Sequence, residues 1–329
     1  MITTVPSTFQ GYVFENFGDS LQEIKLRSDL THSPLQPTHV RIKVHSAATN
    51  PVDYKLIEVG EHFFSTGPTP ENPMRLGFDV AGIVVEIGED VKDLAIGSEV
   101  FGSASLGSTG SFAEYIDVDV TTLARKPTNM TFDQAAGAPG VGATSYDALA
   151  NYGKLKSGQR VLILGGSSAT GLFGIQIAKA LGASFIGVTT STPNVEFVQG
   201  FGADQAIDYT REKWSEVLEP HSIDLIYDCG VEEKAWDDGA QRVLKKDTGI
   251  LVTIGMPITP SESPIGASYF HFFNTVKKES LIKVAKLIET NQLITPIDSV
   301  HTFENLLDAI KKQKSNRARG KIILQVARE

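Results

Sequence analysis

The sequence predicts an α/β protein, a small barrel-type β domain joined to a doubly wound parallel sheet. Three observations carry the prediction. Up to about residue 122, short alternating strands are broken by dense Gly and Pro. Beyond Pro127, short apolar strands alternate with helical segments, the texture of βαβ units and a parallel sheet. The chain then closes on one more strand, GKIILQV, which suggests a return to the first domain.

The first domain is read from HVRIKVHSAA, which alternates along a strand, and from DVAGIVVEIGEDV, a strand ended by a glycine turn. IGSEVFG and GSFAEYIDVD follow as short strands. The segment TFDQAAGAPGVGATSYDALANYG has helical spacing with a Gly/Pro break at its middle. Strands and helices then alternate through RVLILGG, GLFGIQIAKALGA, SFIGVTT, NVEFVQGFGA, QAIDY, IDLIYDCG and GILVTIG. The tail holds an amphipathic helix, VKKESLIKVAKLIETNQ, then ITPIDSVHTF, a second helix ENLLDAIKKQ and the closing strand.

Composition bounds the function. The 329 residues suit about two domains. Hydrophobic and charged contents of 41% and 21% belong to a globular protein whose core needs no disulfide or metal staple. A net charge of −9 gives no general attraction to nucleic acid or an anionic membrane, although a local basic patch stays open. The single cysteine, Cys229, cannot form an intrachain disulfide, which fits a reducing compartment. No basic start precedes an apolar run at the N-terminus, and no apolar run is long enough to span a bilayer. A cytoplasmic enzyme or binding protein is therefore expected.

The most informative stretch is VLILGGSSATGLFGIQIAKALGA, Val161–Ala183. It reads as a strand, a small-residue turn and a helix. A phosphate needs backbone N–H groups at a helix start, and small residues let it approach them. Gly166 and Gly171 take the outer places of a dinucleotide fingerprint, and Ser168 takes the middle one. Ser167, Ala169 and Thr170 complete the candidate loop. Ser168 can cap the helix or touch a phosphate oxygen. A tight turn that binds nothing is the plain alternative.

Cofactor choice is read about 20 residues further on, where an NAD site carries Asp or Glu. Here Thr189, Thr190, Ser191, Thr192 and Asn194 are all neutral. A carboxylate facing the 2′-phosphate would cost roughly 4 kcal/mol at 4 Å and intermediate dielectric. Its absence removes the barrier to NADPH, which is the expected cofactor. Arg211, Arg317, Arg319 and Lys321 are the candidate sources of positive charge.

Several segments together resemble the medium-chain dehydrogenase/reductase superfamily, and within it the zinc-lacking, ζ-crystallin-like quinone oxidoreductases. They are AATNPVDYKL, LGFDVAGIVVEIGEDV, IGSEVFG, GSFAEY, GATSYDAL, the stretch above and ARGKIIL, in the family's order over nearly the whole chain. The resemblance implies a GroES-like substrate domain split between residues 1–122 and 293–329, with a Rossmann NADPH-binding domain at 123–292. Metal-dependent relatives place a first Cys ligand within what is here TNPVDYK, and a His-Glu pair where Phe78-Asp79 stands. One cysteine and scattered histidines build no such site, so no metal is expected.

The resemblance implies hydride transfer from nicotinamide to a small quinone in an interdomain cleft, the protein orienting donor and acceptor. By the same resemblance Asn50 and Asp53 lie near the nicotinamide ribose, although both are ordinary turn formers. Tyr54 can donate a proton or hydrogen bond to a substrate carbonyl, or simply pack. Thr144 resembles the threonine that touches the nicotinamide amide, and Tyr209 one that packs near the adenosine phosphate. Cys229 with Gly230, and Gly255 with Met256, follow apolar strands and should run beside the cofactor. Phe63 and Phe64 are candidates for the substrate pocket. An enone or 2-alkenal reductase is the alternative within this chemistry. A non-catalytic NADPH-binding sensor or RNA-binding protein is the alternative of another class. A homodimer is expected through GILVTIGMP and GASYFHFF, with a tetramer open.

Overall fold

A computed structural model describes residues 5–105, 110–273 and 275–327. Its strands, in chain order, are β1 Thr8–Phe14, β2 Lys25–Thr31, β3 His39–Ala48, β4 Met74–Arg75, β5 Asp79–Ile87, β6 Glu99–Ser103, β7 Tyr115–Asp119 and β8 Leu123–Arg125. Then come β9 Arg160–Leu164, β10 Phe185–Thr190, β11 Gln205–Asp208, β12 Leu225–Asp228, β13 Ile250–Thr253, β14 Ser268–His271, β15 Ile297–Thr302 and β16 Lys321–Gln325. The chain divides into two compact units, one of residues 1–140, 276–286 and 295–329, the other of 141–275 and 287–294.

The first unit is built on a seven-stranded sheet of order β15-β16-β3-β5-β6-β8, with β7 on the far part of β3, and a small sheet β2-β1-β4. Most pairings are antiparallel, and β3 is the long central strand that serves β5, β7 and β16. The last strand returns as its sequence suggested: Ile323 pairs with Ala48. Inward residues Val40, Ile42, Val44, Val80, Val100, Ile116, Leu123 and Leu324 form one core with Tyr54 and Ile57. Residues 123–140 stay with this unit partly because Asp133 accepts hydrogen bonds from Ser46 (2.5 Å) and Gln325 (2.8 Å).

The second unit holds a six-stranded, wholly parallel sheet of order β11-β10-β9-β12-β13-β14. β12 and nearly all of β9 are buried, which is why they read as continuous apolar runs rather than alternating ones. The order reverses between β9 and β12, and ligands of such sheets bind beyond the strand ends at that reversal. The Ala169–Ala180 helix follows β9 and buries eight consecutive residues from Gly171 to Ala178. The break foreseen in the GAPG stretch is real: one helix ends at Ala136 and the next starts at Pro139, whose fixed φ suits a first turn.

Candidate active site

The loop after β9 is shaped by glycines that nothing else could replace. Gly165 has φ +84°, and a Cβ there would meet the Gly230 backbone at 2.6 Å. A Cβ on Gly171 would lie 2.3 Å from the Gly165 carbonyl oxygen, so the helix start presses on the loop backbone. The loops leaving β9 and β12 thus meet at the point of strand reversal. Ser168 is the N-cap: its Oγ accepts from Gly171 N (2.9 Å) and donates to Gly165 O (2.8 Å). Its one hydroxyl proton is committed to the loop. Backbone N–H groups of Ala169 and Thr170, at the first turn of a twelve-residue helix, have no acceptor within the helix. Together with the positive end of the helix dipole they fit a pyrophosphate. Ser145 Oγ donates to Thr170 O (2.9 Å) and ties the neighbouring helix, which carries the buried Thr144, to this cradle.

The end of β10 sits beside the cradle, since Thr189 accepts from Gly165 N through Oγ1 (3.0 Å) and from Gly166 N through its carbonyl (2.9 Å). Thr190 is fully buried and its Oγ1 has no partner among the described residues. Asn194 Nδ2 donates to Ser191 Oγ (3.2 Å). The parallel register sets Thr190 opposite Asp208, so an acid does stand one strand over. It is occupied: Thr192 and Thr210 hydroxyls and the Thr210 amide donate to it, and Arg211 Nε lies 3.6 Å away. The Thr192 and Thr210 hydroxyls hold its pKa below the usual carboxylate range. Tyr209 and the Arg211 side chain are exposed beside it.

Cys229 is packed under the loop, with its thiol on Leu164 O (3.1 Å). Burial, and then Asp228, push it up to about 12, so it is a neutral thiol. Gly255 is buried and donates its N–H to Thr253 Oγ1 (3.0 Å), while the following Met256 is exposed.

In the first unit, Asn50 caps the Pro51–Val59 helix, and its N–H donates to Asp53 Oδ2 (2.6 Å). Its carboxamide Nδ2 donates to Asp79 Oδ2 (3.0 Å) and its Oδ1 accepts from Lys321 Nζ (2.6 Å). Lys321 Nζ also donates to Asp79 Oδ2 (3.2 Å) and Thr49 O (3.0 Å), which uses all three of its protons. Gly140 N donates to Asp79 Oδ1 (3.0 Å). Asp53, Asp79 and Lys321 are buried, whereas Asn50 is partly exposed. Burial, opposed by the Asn50 N–H bond and reinforced by Asp79, pushes the Asp53 carboxyl up to about 7. Tyr54 is buried one residue on, its phenol raised above the usual range by burial and by Glu58. Phe64 stacks on Phe17 at 6.2 Å between ring centres, and Phe63 is exposed.

Of the expected positive charges, Lys321 is spent inside this cluster, and Arg319 is exposed with its N–H on Asp298 (2.8 Å). Arg211 shares the strand-end neighbourhood with Tyr209. The Lys321–Asp79 pairing was not foreseen in the sequence; its one trace is a lysine opening the apolar strand KIIL. Asp208 was visible in QAIDY, but only the register places it beside the end of β10.

A split β unit and a parallel sheet of this order with a glycine-shaped phosphate cradle define a dinucleotide-dependent oxidoreductase. Comparison with known proteins agrees. Residues 36–128 match the alcohol dehydrogenase GroES-like domain, and residues 201–324 match a family model described as zinc-binding dehydrogenase. The 2-methylene-furan-3-one reductase of Solanum lycopersicum is 33% identical over 98% of this chain and 80% of its own. The chloroplastic NADPH-dependent alkenal/one oxidoreductase of Arabidopsis thaliana is 32% identical with the same coverage. Among solved structures, the quinone oxidoreductase of Coxiella burnetii superposes with a TM-score of 0.83 at 26% identity, covering 97% of this chain and 100% of its own. The chain belongs to the medium-chain dehydrogenase/reductase superfamily, among its quinone and alkenal oxidoreductases. Despite the zinc in one model's description, no group of three or more His, Cys, Asp or Glu among the described residues could hold a metal ion.

Proposed function

We propose that the protein is an NADPH-dependent reductase that delivers hydride to the conjugated system of a quinone or an enone. The observation that carries this reading is the cradle at Gly165–Gly171 beside a β10 end that offers hydroxyls and an already occupied acid. The Ala169 and Thr170 N–H groups hold the pyrophosphate. Ser191, Asn194 and Tyr209 face the 2′-phosphate, and Arg211 supplies its positive charge by exchanging Asp208 for the phosphate. Thr144, Gly255 and Met256 of the second unit position the nicotinamide end. Bound nicotinamide supplies the hydride.

Tyr54 donates a hydrogen bond to the substrate carbonyl, its phenol being protonated at neutral pH as any tyrosine is. Phe63 and Phe64 contribute apolar surface to the acceptor. The enone reading gains support from the two plant relatives, both named for conjugated carbonyl substrates. The quinone reading rests on the bacterial structure.

The test is NADPH and NADH oxidation with a panel of small quinones and enones. A kcat/KM preference for NADPH with at least one acceptor is expected, and Tyr54→Phe should cost more with enones, whose enolate needs a placed donor. A preference for NADH would overturn the cofactor assignment. NADPH binding without turnover on either panel would instead mark a non-catalytic binding protein. We further propose a homodimer formed along β14, and a cytoplasmic location. No helix among the described residues is long and apolar enough to cross a membrane. Fractionation of cells expressing the tagged chain tests the location.

A further inference from the structure

One residue of the second unit holds a backbone conformation that its side chain disfavours. Val231 has φ +60°, in a left-handed region that a β-branched residue occupies only under constraint. Glycine takes this conformation without a steric penalty, so the turn itself does not call for valine. Nor does the core: Val231 is 46% exposed and stands outside the cluster built around Leu162, Ile226 and Leu251. Its neighbour is instead Gly255, where an added Cβ would lie 3.1 Å from Val231 Cγ1. The constraint comes from Asp228, buried at the end of β12. Its two carboxylate oxygens both accept from Glu232 N (3.2 Å each), which closes the loop around Val231. The same carboxylate accepts from Thr253 Oγ1 (2.8 Å), which in turn accepts from Gly255 N (3.0 Å). One buried acid thus fixes both the loop after β12 and the loop after β13.

The place of this loop gives the side chain a role. Gly230 packs on the phosphate cradle, since a Cβ on Gly165 would meet its Cα at 2.6 Å. In the sheet, β9 has β10 on one side and β12 on the other. With the pyrophosphate on the Ala169 and Thr170 N–H groups and the adenosine half over the end of β10, the nicotinamide half leaves across the ends of β12 and β13. That path runs over Val231 and Gly255. We propose that Val231 is a cofactor-orienting residue: Asp228 holds its backbone left-handed, so that the isopropyl group stands in the crevice and packs against the nicotinamide half of NADPH. This rests on the NADPH-dependent reading above. Asp228 is 2% exposed and acts only through the two loops it clamps, which makes it a positioning residue. Backbone strain that the surrounding structure enforces is a recurring feature of ligand clamps.

The test titrates the full chain by calorimetry with two ligands, NADPH and adenosine 2′,5′-bisphosphate, which carries the adenosine half and no nicotinamide. The proteins are the wild type, Val231→Gly, Asp228→Asn and the double variant, each also melted for Tm. Val231→Gly is expected to weaken NADPH about fivefold, through loss of the apolar contact of one half-exposed valine. It should leave the bisphosphate affinity unchanged and should not lower Tm, because glycine relieves the strain. Asp228→Asn, whose NH2 cannot accept a hydrogen bond, should weaken NADPH with the same selectivity, and the double variant should bind no worse than the weaker single one. Wild-type NADPH affinity in Val231→Gly overturns the proposal. So does an equal loss of both ligands or a lowered Tm in that variant, either of which marks a merely structural valine. Losses that multiply in the double variant overturn the part assigned to Asp228. If Asp228→Asn does not fold, Thr253→Val, which removes the hydroxyl between Asp228 and Gly255, takes its place with the same expected pattern. Failure of the NADPH reading looks different: the wild type would bind NADH in preference, and Val231→Gly would then lose NADH and keep ADP. A wild type that binds neither dinucleotide overturns both.

Discussion

Ser168 shows how much one atom can decide. As a sequence position it was a serine in a glycine's place, able to cap a helix or meet a phosphate. In the structure its hydroxyl proton is on Gly165 O and its lone pair is on Gly171 N, so it has no proton to give a phosphate. Ser168→Gly should therefore leave the NADPH dissociation constant nearly unchanged. Ser168→Ala should destabilise by about 1 kcal/mol, because the cap is lost without glycine's tolerance at that position. Thermal melts and NADPH titrations check the two arms, and a large affinity loss in Ser168→Gly would show that the hydroxyl does reach the cofactor. Asp53 makes a prediction of opposite character. Its carboxyl is near 7 in the folded protein, against about 4 in an unfolded chain. The folded state therefore holds its proton longer, and this contribution to stability is full below about pH 4 and is lost as pH rises through about 7. The gap corresponds to roughly 4 kcal/mol. Asp53→Asn should match the wild type near pH 4 and be the more stable of the two at pH 8, the difference growing across that window in denaturant melts. A constant difference over the whole range would rule the account out.

At the scale of elements, the dinucleotide loop was legible because its physics is local. A strand, a run of Gly, Ser and Ala, and a helix follow one another without interruption, and their geometry is set by backbone contacts a few residues apart. Gly171→Ala puts a methyl 2.3 Å from the Gly165 carbonyl oxygen, so the helix start must shift off the loop. We expect a destabilisation of about 1–3 kcal/mol and a loss of NADPH affinity well beyond that of Ser168→Gly, checked by the same titrations. The charge partners were not legible, because β10 and β11, or β3, β5 and β16, come together only in the sheet. The edge strand β14 carries a prediction of its own. Its outer side has no pairing partner among the described residues, Phe270 is partly exposed, and Phe273 just beyond it is 70% exposed. Unpaired edges with apolar side chains invite a second strand. Phe273→Asp should turn a homodimer into a monomer in sedimentation at micromolar protein; a wild type that already sediments as a monomer would refute the dimer.

For the whole molecule, the division of labour is plain. Local periodicity and punctuation determined the fold class, the phosphate loop and the return of the chain to its first unit. Period-2 and period-3.6 patterns and turn residues act over a few positions, so they survive in a linear reading. The absence of an acid after β10 likewise pointed to NADPH from residue types alone. Only the tertiary structure decided what the charged residues do. Lys321, 271 positions from Asn50 in the chain, closes its three hydrogen bonds on a loop and a strand of the opposite end. Asp208 is quenched by hydroxyls from two loops. Electrostatic roles depend on which groups share a few ångströms of low-dielectric space, and that is set by β16 lying against β3 and by β11 lying against β10, not by spacing along the chain.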